Sequence, residues 1–355
     1  MALFVSILAS CALLQRFYQK RDLRIAETVL SRFGRRMDLA TNKTPPPHPS
    51  LVYLPPIHYE SLPSHDSSSS SPIHVATSAI QGENDAETLI RYMETMIRSV
   101  CLFTLSRSVQ FHVVTDNRIE RELRYRLILP QSISIRYYRT NLDQDWLTLF
   151  ATGSAQRLFL HTLLPVEVRK AIYLDSDTVV LRDLDDLWNL FQYFDVMHYV
   201  AATRESEIID GYYLRHADPR LPYVYPVGIN AGVLLLDLEK LRRMEPAWSK
   251  EIQDIRYHYD GKLHVGDQDV LNILFYRRKE YLMFLPCEWN IREDSWCRME
   301  KANDLGIVHG SRKRFQPENR NHWLHSFTDV IDNHPFGKSE MWRFQYENKQ
   351  LRLPN

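Results

Sequence analysis

From Ile73 onward, short apolar runs alternate with stretches of helical periodicity, and this alternation limits the fold more than any other feature of the chain. IHVATSAI, QFHVVTDN, ISIRYYRT, KAIYLDSD, MHYVAAT and AGVLLLDL each read as a strand. Between them, Ala86 to Leu105 carries Leu89, Tyr92, Met93, Met96, Val100 and Phe103 on one side at helical spacing. SAQRLFLHTLLP reads as helical and closes before Pro165, and LDDLWNLFQYF and DQDVLNILFYRR read as two more helices. Strands alternating with helices predict an α/β fold, an open sheet with helices on both faces. No internal repeat is evident, and the pattern predicts one domain over 72–338 with a polar tail over 339–355.

Ahead of that domain the chain changes character twice. Ala2 to Leu14 is apolar and is followed by Gln15, Arg16, Lys20 and Arg21. The run is shorter than the roughly 20 residues that span a bilayer, and it lacks a basic start and a clear small-x-small cleavage site. A hydrophobic signal or anchor segment over 1–14, truncated at its start, is one reading; an ordinary N-terminal helix is the other. Residues 15–71 read as a stem, rich in proline and serine from about residue 41, because proline fixes extended backbone and serine runs bury nothing. The stem holds one glycosylation sequon, Asn42-Lys43-Thr44. Hydrophobic run, stem and globular body form the layout of a single-pass type II membrane protein of the Golgi or endoplasmic reticulum lumen.

Inside the body, KAIYLDSDTVVL poses a chemical problem. An apolar run ends in Asp175 and Asp177 and then resumes as Val179, Val180 and Leu181. Carboxylates beside a core strand are costly unless something pairs with them. Residues i and i+2 of a strand project to the same side, so the two acids converge if the strand continues. In open α/β sheets, ligands sit at the carboxyl ends of strands. Like charges this close repel unless a cation intervenes, and oxygen ligands favour Mg²⁺ or Mn²⁺. The bland reading is an acidic turn with a helix-capping Asp.

Downstream motifs weigh against the bland reading. PVGINAGVLLLDLEKLRRM sets Gly228, Asn230 and Gly232 just before a strand, where glycine permits close backbone approach and Asn230 can donate and accept. VGDQDVLNILF puts Asp267 and Gln268 at a helix start, where an N-cap is the plain alternative for Asp267. GIVHGSRKRF ends a short apolar strand in His309, Gly310, Ser311 and Arg312, an arrangement that suits a metal ligand beside a phosphate clamp. The 44 basic and 44 acidic residues cancel, so no basic field points to nucleic acid. Cys287 and Cys297 are close enough to close a small disulfide loop, Cys101 reads as a core residue, and four cysteines neither require nor exclude an oxidising compartment.

Taken in order, GSAQRLFLHTLLP, IYLDSDTVVLRDLDDLW, GINAGVLLLD, VGDQDVLNILF, PCEWNIREDSWC and VHGSRKR resemble the family of retaining nucleotide-sugar glycosyltransferases that includes glycogenin (GT8), and within it the glucoside xylosyltransferases. The resemblance runs from about Ile73 to Phe336. It implies the GT-A fold with an open mixed sheet of Rossmann-like character, and a UDP-sugar donor, UDP-xylose in the nearest pattern, handled with Mn²⁺ or Mg²⁺. By position, Asp175, Asp177 and His309 match the metal ligands. Ala76 and Thr77 match contacts to uracil and ribose, while Arg157, Ser176, Gly232, Gly310 and Arg312 match further donor contacts. Asn230, Asp267 and Gln268 match residues around the donor sugar and reaction centre.

On the acceptor side, ESEIIDGYYLRHA and CEWN resemble family segments that implicate Glu205 as a polar contact and Tyr212, Tyr213 and Trp289 as rings for a sugar to stack on, with core packing as the alternative for each ring. The implied acceptor is O-linked glucose on an epidermal-growth-factor-like repeat. The chain departs from the pattern at Ala231, Ser311 and Ser154, where the family has Ser, Asn and Cys, and its Cys287–Cys297 spacing is one residue longer. Two other readings compete: a related transferase for another glycan, including the bifunctional xylosyltransferases that act on glucuronate-capped glycans, and a catalytically silent sugar-binding protein.

Overall fold

The structure is a computed structural model that describes residues 52–59, 71–82, 85–149, 152–209, 211–297, 304–319 and 324–333. The apolar runs become β1 (Ile73–Ala79), β2 (Val109–Thr115), β3 (Ile133–Tyr138), β4 (Lys170–Leu174), β5 (Thr178–Val180), β6 (Val200–Arg204), β7 (Ile229–Asp237), β8 (Leu282–Leu285) and β9 (Ile307–His309). Seven of these form one mixed sheet in the order β3–β2–β1–β4–β7–β6–β8, and β5 pairs with β9 in a small second sheet. The pairs β1–β2, β2–β3, β1–β4 and β6–β8 are parallel; β7 runs antiparallel to both β4 and β6.

Both faces of the sheet are covered, which is why its central strands read as unbroken apolar runs rather than alternating ones. Ile172 and Leu174 of β4 join a core with Met93, Met96, Phe111 and Leu235. Ala171 and Tyr173 face the other way, onto Leu158, Leu234, Ile273 and Leu274. Strand alternation therefore sends Asp175, two residues beyond Tyr173, to the second face. In β7 the register with β6 shifts: Ala202 pairs with Leu234 but Thr203 pairs with Asn230. The extra residues around Gly232 bulge from the ladder, a common device for re-aiming a strand beside a site.

Several helices start where an aspartate caps them. Asp85 accepts from the Thr88 N–H at 2.9 Å ahead of the helix Ala86–Phe103, and Asp116 caps Asn117–Arg126. SAQRLFLHTLLP differs from the expectation: its first part, Ser154–Phe159, is a 3₁₀ helix, and only Leu160–Leu163 is α. LDDLWNLFQYF splits likewise into α Leu184–Trp188 and 3₁₀ Asn189–Tyr193.

The segment 1–14 and the tail 339–355 lie outside the described residues, as does most of 15–71. Residues 52–59 of the stem are described, and they do not behave as a free linker. Tyr53 forms an antiparallel bridge with Ile208. The Leu54 N–H donates to Glu207 O at 2.9 Å, and Arg204 Nη1 donates to Pro55 O at 2.7 Å. The Tyr59 hydroxyl donates to Phe284 O, and its ring lies 4.5 Å from that of Tyr193. Proline holds this stretch extended, which leaves backbone groups free to pair with the segment that follows β6. Among the described residues no helix is long and apolar enough to cross a membrane.

Candidate functional site

β4 ends at Leu174, the chain turns through Asp175-Ser176-Asp177, and β5 begins at Thr178. Two backbone bonds hold the turn: the Asp175 N–H donates to Gly232 O at 2.8 Å, and the Gly310 N–H donates to Asp177 O at 2.8 Å. Thr178 pairs with His309 in the β5–β9 ladder, which brings the imidazole beside the acids. His309 Nε2 lies 3.3 Å from Asp177 Oδ1 and 3.7 Å from Asp175 Oδ2. One ligand atom from each of the three lies within 4.8 Å of the others, a spacing that one small cation can bridge. Gly232 is required here, because a Cβ on it would run into Cε1 and Nδ1 of His309. Among the described residues a second grouping of such side chains, Cys287, Glu288 and Cys297, is a disulfide with a neighbouring acid.

Behind the acids sits Arg157. Its Nη2 lies 2.8 Å from Asp175 Oδ1, its Nε lies 2.9 Å from Asp267 Oδ2, and its Nη1 donates to Ala231 O. The Tyr173 hydroxyl donates to Asp175 Oδ1 at 2.9 Å, and the Ser154 hydroxyl to Asp267 Oδ1 at 2.7 Å. Burial works against the charge on Arg157, but Asp175 and Asp267 outweigh it and hold the guanidinium above its ordinary pKa. Burial pushes the Asp175 carboxyl above the usual carboxylate range, although Arg157 and His309 pull the other way. Asp177 is also desolvated, yet the adjacent His309 imidazole holds it below that range. One arginine and one imidazole face three acids, so the cluster has room for further positive charge.

A third layer is made of amides. Asn230 Nδ2 donates to Glu205 Oε2 at 2.8 Å and to Gln268 Oε1 at 3.2 Å. Gln268 Nε2 donates to Glu205 Oε2 at 3.1 Å. Arg292 Nη2 stands 3.9 Å from that same oxygen. Asn230 Oδ1 accepts from the Gly232 N–H at 3.0 Å and from Asn290 Nδ2 at 2.8 Å.

Residues 90–304, more than half of the chain, match Glycosyl transferase family 8. The chain belongs to that family. It is 30% identical over 305 residues to glucoside xylosyltransferase 2 of Mus musculus, covering 79% of this chain and 66% of that protein. It is 33% identical over 266 residues to glucoside xylosyltransferase 2 of Xenopus laevis, covering 68% and 62%. The chain thus spans just under two thirds of the length of these relatives. Its structure is similar to that of the galactosyltransferase LgtC solved with donor and acceptor sugar analogues, with a TM-score of 0.55 at 19% identity, covering 76% of this chain and 99% of that one. The fold of this family 8 protein is GT-A, with the mixed sheet described above.

The structure gathers Asp175, Asp177, His309, Arg157, Asn230, Gly232, Asp267, Gln268 and Glu205 into one contiguous cluster through the contacts above. Asp267 is not an N-cap. Gly266 holds the cap position at φ 65°, and the Asp267 carboxylate turns to Ser154 and Arg157 instead. Ser176 lies in the turn between the two acids, half-buried.

The other expected site residues have surroundings of their own. Ala76 and Thr77 sit inside β1 with no accessible surface, so their side chains present nothing to a nucleotide. Arg312 is engaged elsewhere: it forms a two-pronged pair with Asp294 at 2.8 and 2.5 Å. Gly310, its neighbour, packs its bare Cα against Phe315. Tyr213 and Trp289 are each 1% exposed, and Trp289 also carries the Arg182 guanidinium 3.9 Å over its ring, so both are core residues. Tyr212 is sandwiched between the His216 ring, stacked at 3.7 Å, and the Arg312 guanidinium at 4.4 Å.

Sequence reasoning missed Tyr173, Asn290 and Asp294. Tyr173 was within reach, since it stands two residues before Asp175 on the same strand and so shares its face. Asn290 follows Trp289 in the CEWN motif, but nothing local ties it to Asn230 or His309.

Proposed function

We propose that this protein is a retaining glycosyltransferase that moves xylose from UDP-xylose in α linkage to O-linked glucose on epidermal-growth-factor-like repeats, with Mn²⁺ at Asp175, Asp177 and His309. Similarity to the glucoside xylosyltransferases supports xylose as the sugar transferred and a glucoside as its acceptor. The observation that carries the reading is the convergence of two carboxylates and an imidazole on one point, with Arg157 behind it. Two carboxylate oxygens and one nitrogen suit a small divalent ion better than a thiophilic one, and the missing Cβ at Gly232 leaves His309 its place. When bound, such an ion neutralises charge that develops on a departing diphosphate.

The chain's own residues supply the rest. Arg157 holds Asp175 and Asp267 in fixed orientation and keeps positive charge beside the leaving group without reorganisation during the reaction. Both oxygens of Asp267 are engaged by Ser154 and Arg157, and one oxygen of Glu205 serves two amides. These carboxylates are built to hold and to orient, not to bond to a sugar carbon. That favours attack of the acceptor hydroxyl on the same face as the departing phosphate, with a phosphate oxygen taking the acceptor proton. Asn230 and Gln268 then position the sugar. We also place the protein in the lumen of the Golgi or endoplasmic reticulum as a type II membrane protein. The Cys287–Cys297 disulfide, which persists in an oxidising compartment, supports this, as does the sequon.

The test is UDP release from UDP-xylose, UDP-glucose and UDP-galactose with Mn²⁺ or EDTA, with and without a glucosylated repeat. Release from UDP-xylose that needs metal and rises with the repeat is expected. Preference for another UDP-sugar moves the protein to a related transferase, and no release from any donor overturns catalysis.

A further inference from the structure

We propose that Asn290 is a positioning residue that sets the tautomer of His309 and so aims the Nε2 lone pair into the space between Asp175 and Asp177. This rests on the reading of those three residues as a divalent-ion site. Asn290 is 1% exposed and lies within the Cys287–Cys297 loop. Its two side-chain atoms join the amide layer to the imidazole: Nδ2 donates to Asn230 Oδ1 at 2.8 Å, and Oδ1 lies 2.9 Å from His309 Nδ1.

The direction of each amide follows from fixed groups at the far end. Glu205 Oε2 receives N–H groups from both Asn230 and Gln268. Asn230 therefore presents its nitrogen to Glu205 and its oxygen to the opposite side. There the Gly232 backbone N–H, which can only donate, confirms the oxygen as acceptor. The Asn290 atom that meets this same oxygen has to be the NH₂, which leaves its carbonyl oxygen for His309 Nδ1. An amide oxygen cannot donate, so Nδ1 carries the proton. A neutral imidazole protonated on Nδ1 has its lone pair on Nε2.

The consequence is chemical. With the opposite tautomer, Nε2 would turn an N–H toward Asp177 Oδ1 at 3.3 Å, with Asp175 Oδ2 3.7 Å away, and would set a proton where a cation is to be held. The Glu205–Asn230–Asn290 chain selects the form that leaves three lone-pair donors facing one point. Metal-bound histidines are commonly oriented this way by a hydrogen bond from the distal ring nitrogen, and loss of that partner typically costs about 10- to 100-fold in metal affinity.

Long-range ¹H–¹⁵N spectra of metal-free, full-chain enzyme at pH 8, with His309 assigned by its loss in His309→Gln, locate the proton. Titration with Mn²⁺ in the presence of UDP, followed by electron paramagnetic resonance, gives the affinity. Wild type is expected to carry the proton on Nδ1. In Asn290→Ala the proton moves to Nε2 and Mn²⁺ affinity falls about 10- to 100-fold. Asn290→Asp keeps an acceptor on Nδ1 but sets an oxygen against Asn230 Oδ1, so it restores the Nδ1 proton and part of the affinity, which a merely structural role for Asn290 would not do. A wild-type ring protonated on Nε2 alone, or an Asn290→Ala ring unchanged in tautomer and affinity, overturns the proposal. Failure of wild type to bind Mn²⁺ overturns the metal reading, and that result is separate from the location of the proton.

Discussion

Gly232 and Arg157 show how little freedom single residues have in this site. A methyl group at Gly232 would collide with His309 in the β5–β9 ladder, so Gly232→Ala is expected to displace this proposed metal ligand and not the fold. Turnover of UDP-xylose should fall at least tenfold while the thermal midpoint stays within a few degrees; unchanged turnover would show that His309 is not a ligand. Arg157→Met makes the opposite case. It leaves Asp175 and Asp267 without their buried cation, and breaking such a pair from one side costs about 3–5 kcal/mol. Urea unfolding of this variant should show that loss, and a midpoint equal to wild type would mean that the acids find other partners.

At the scale of elements, the edge of the sheet carries a polar chain of its own across β1, β2 and β3. His74 Nδ1 lies 3.0 Å from His112 Nε2, and His112 Nδ1 lies 2.9 Å from the Tyr138 hydroxyl. Burial pushes the His112 imidazole down to about 3 and lowers His74 as well. A histidine with a depressed folded pKa contributes full stability above its unfolded value and loses it as pH falls, because the unfolded chain takes up the proton first. His112 alone therefore removes about 2 kcal/mol between pH 7 and pH 5. Urea midpoints at the two pH values should differ more in wild type than in His112→Gln, and equal slopes would refute the effect. The strap over 52–59 belongs to the same scale. Tyr59→Ala removes a ring contact and a hydrogen bond to Phe284 O, and a loss of about 1–3 kcal/mol is expected. No loss would mean that the strap does not hold to the body in solution.

Across the whole molecule, the Cys287–Cys297 disulfide joins stability to the site. Its loop holds Trp289 in the core, Asn290 on His309, Arg292 near Glu205, and Asp294 on Arg312. Closing a loop of this size stabilises a chain by about 2–4 kcal/mol. A Cys287→Ser, Cys297→Ser double variant should lose that much in urea unfolding and bind Mn²⁺ more weakly. Loss of stability with unchanged Mn²⁺ binding would separate the loop from the site.

The alternation of strands and helices, the acids at a strand end and the order of the family motifs were legible in the sequence, because periodicity and chain order are local properties. So was the cluster of Asp175, Asp177 and His309, through the match of motif positions. The fate of the aromatic rings was not. Tyr212, Tyr213 and Trp289 look alike in sequence, and only packing decides whether a ring faces solvent, a guanidinium or the core. The pairing of Arg312 with Asp294, the docking of 52–59 and the reach of Asn290 between Asn230 and His309 were likewise decided by tertiary structure. Each joins residues far apart in the chain, and no local pattern records a hydrogen bond whose partner is supplied by another element.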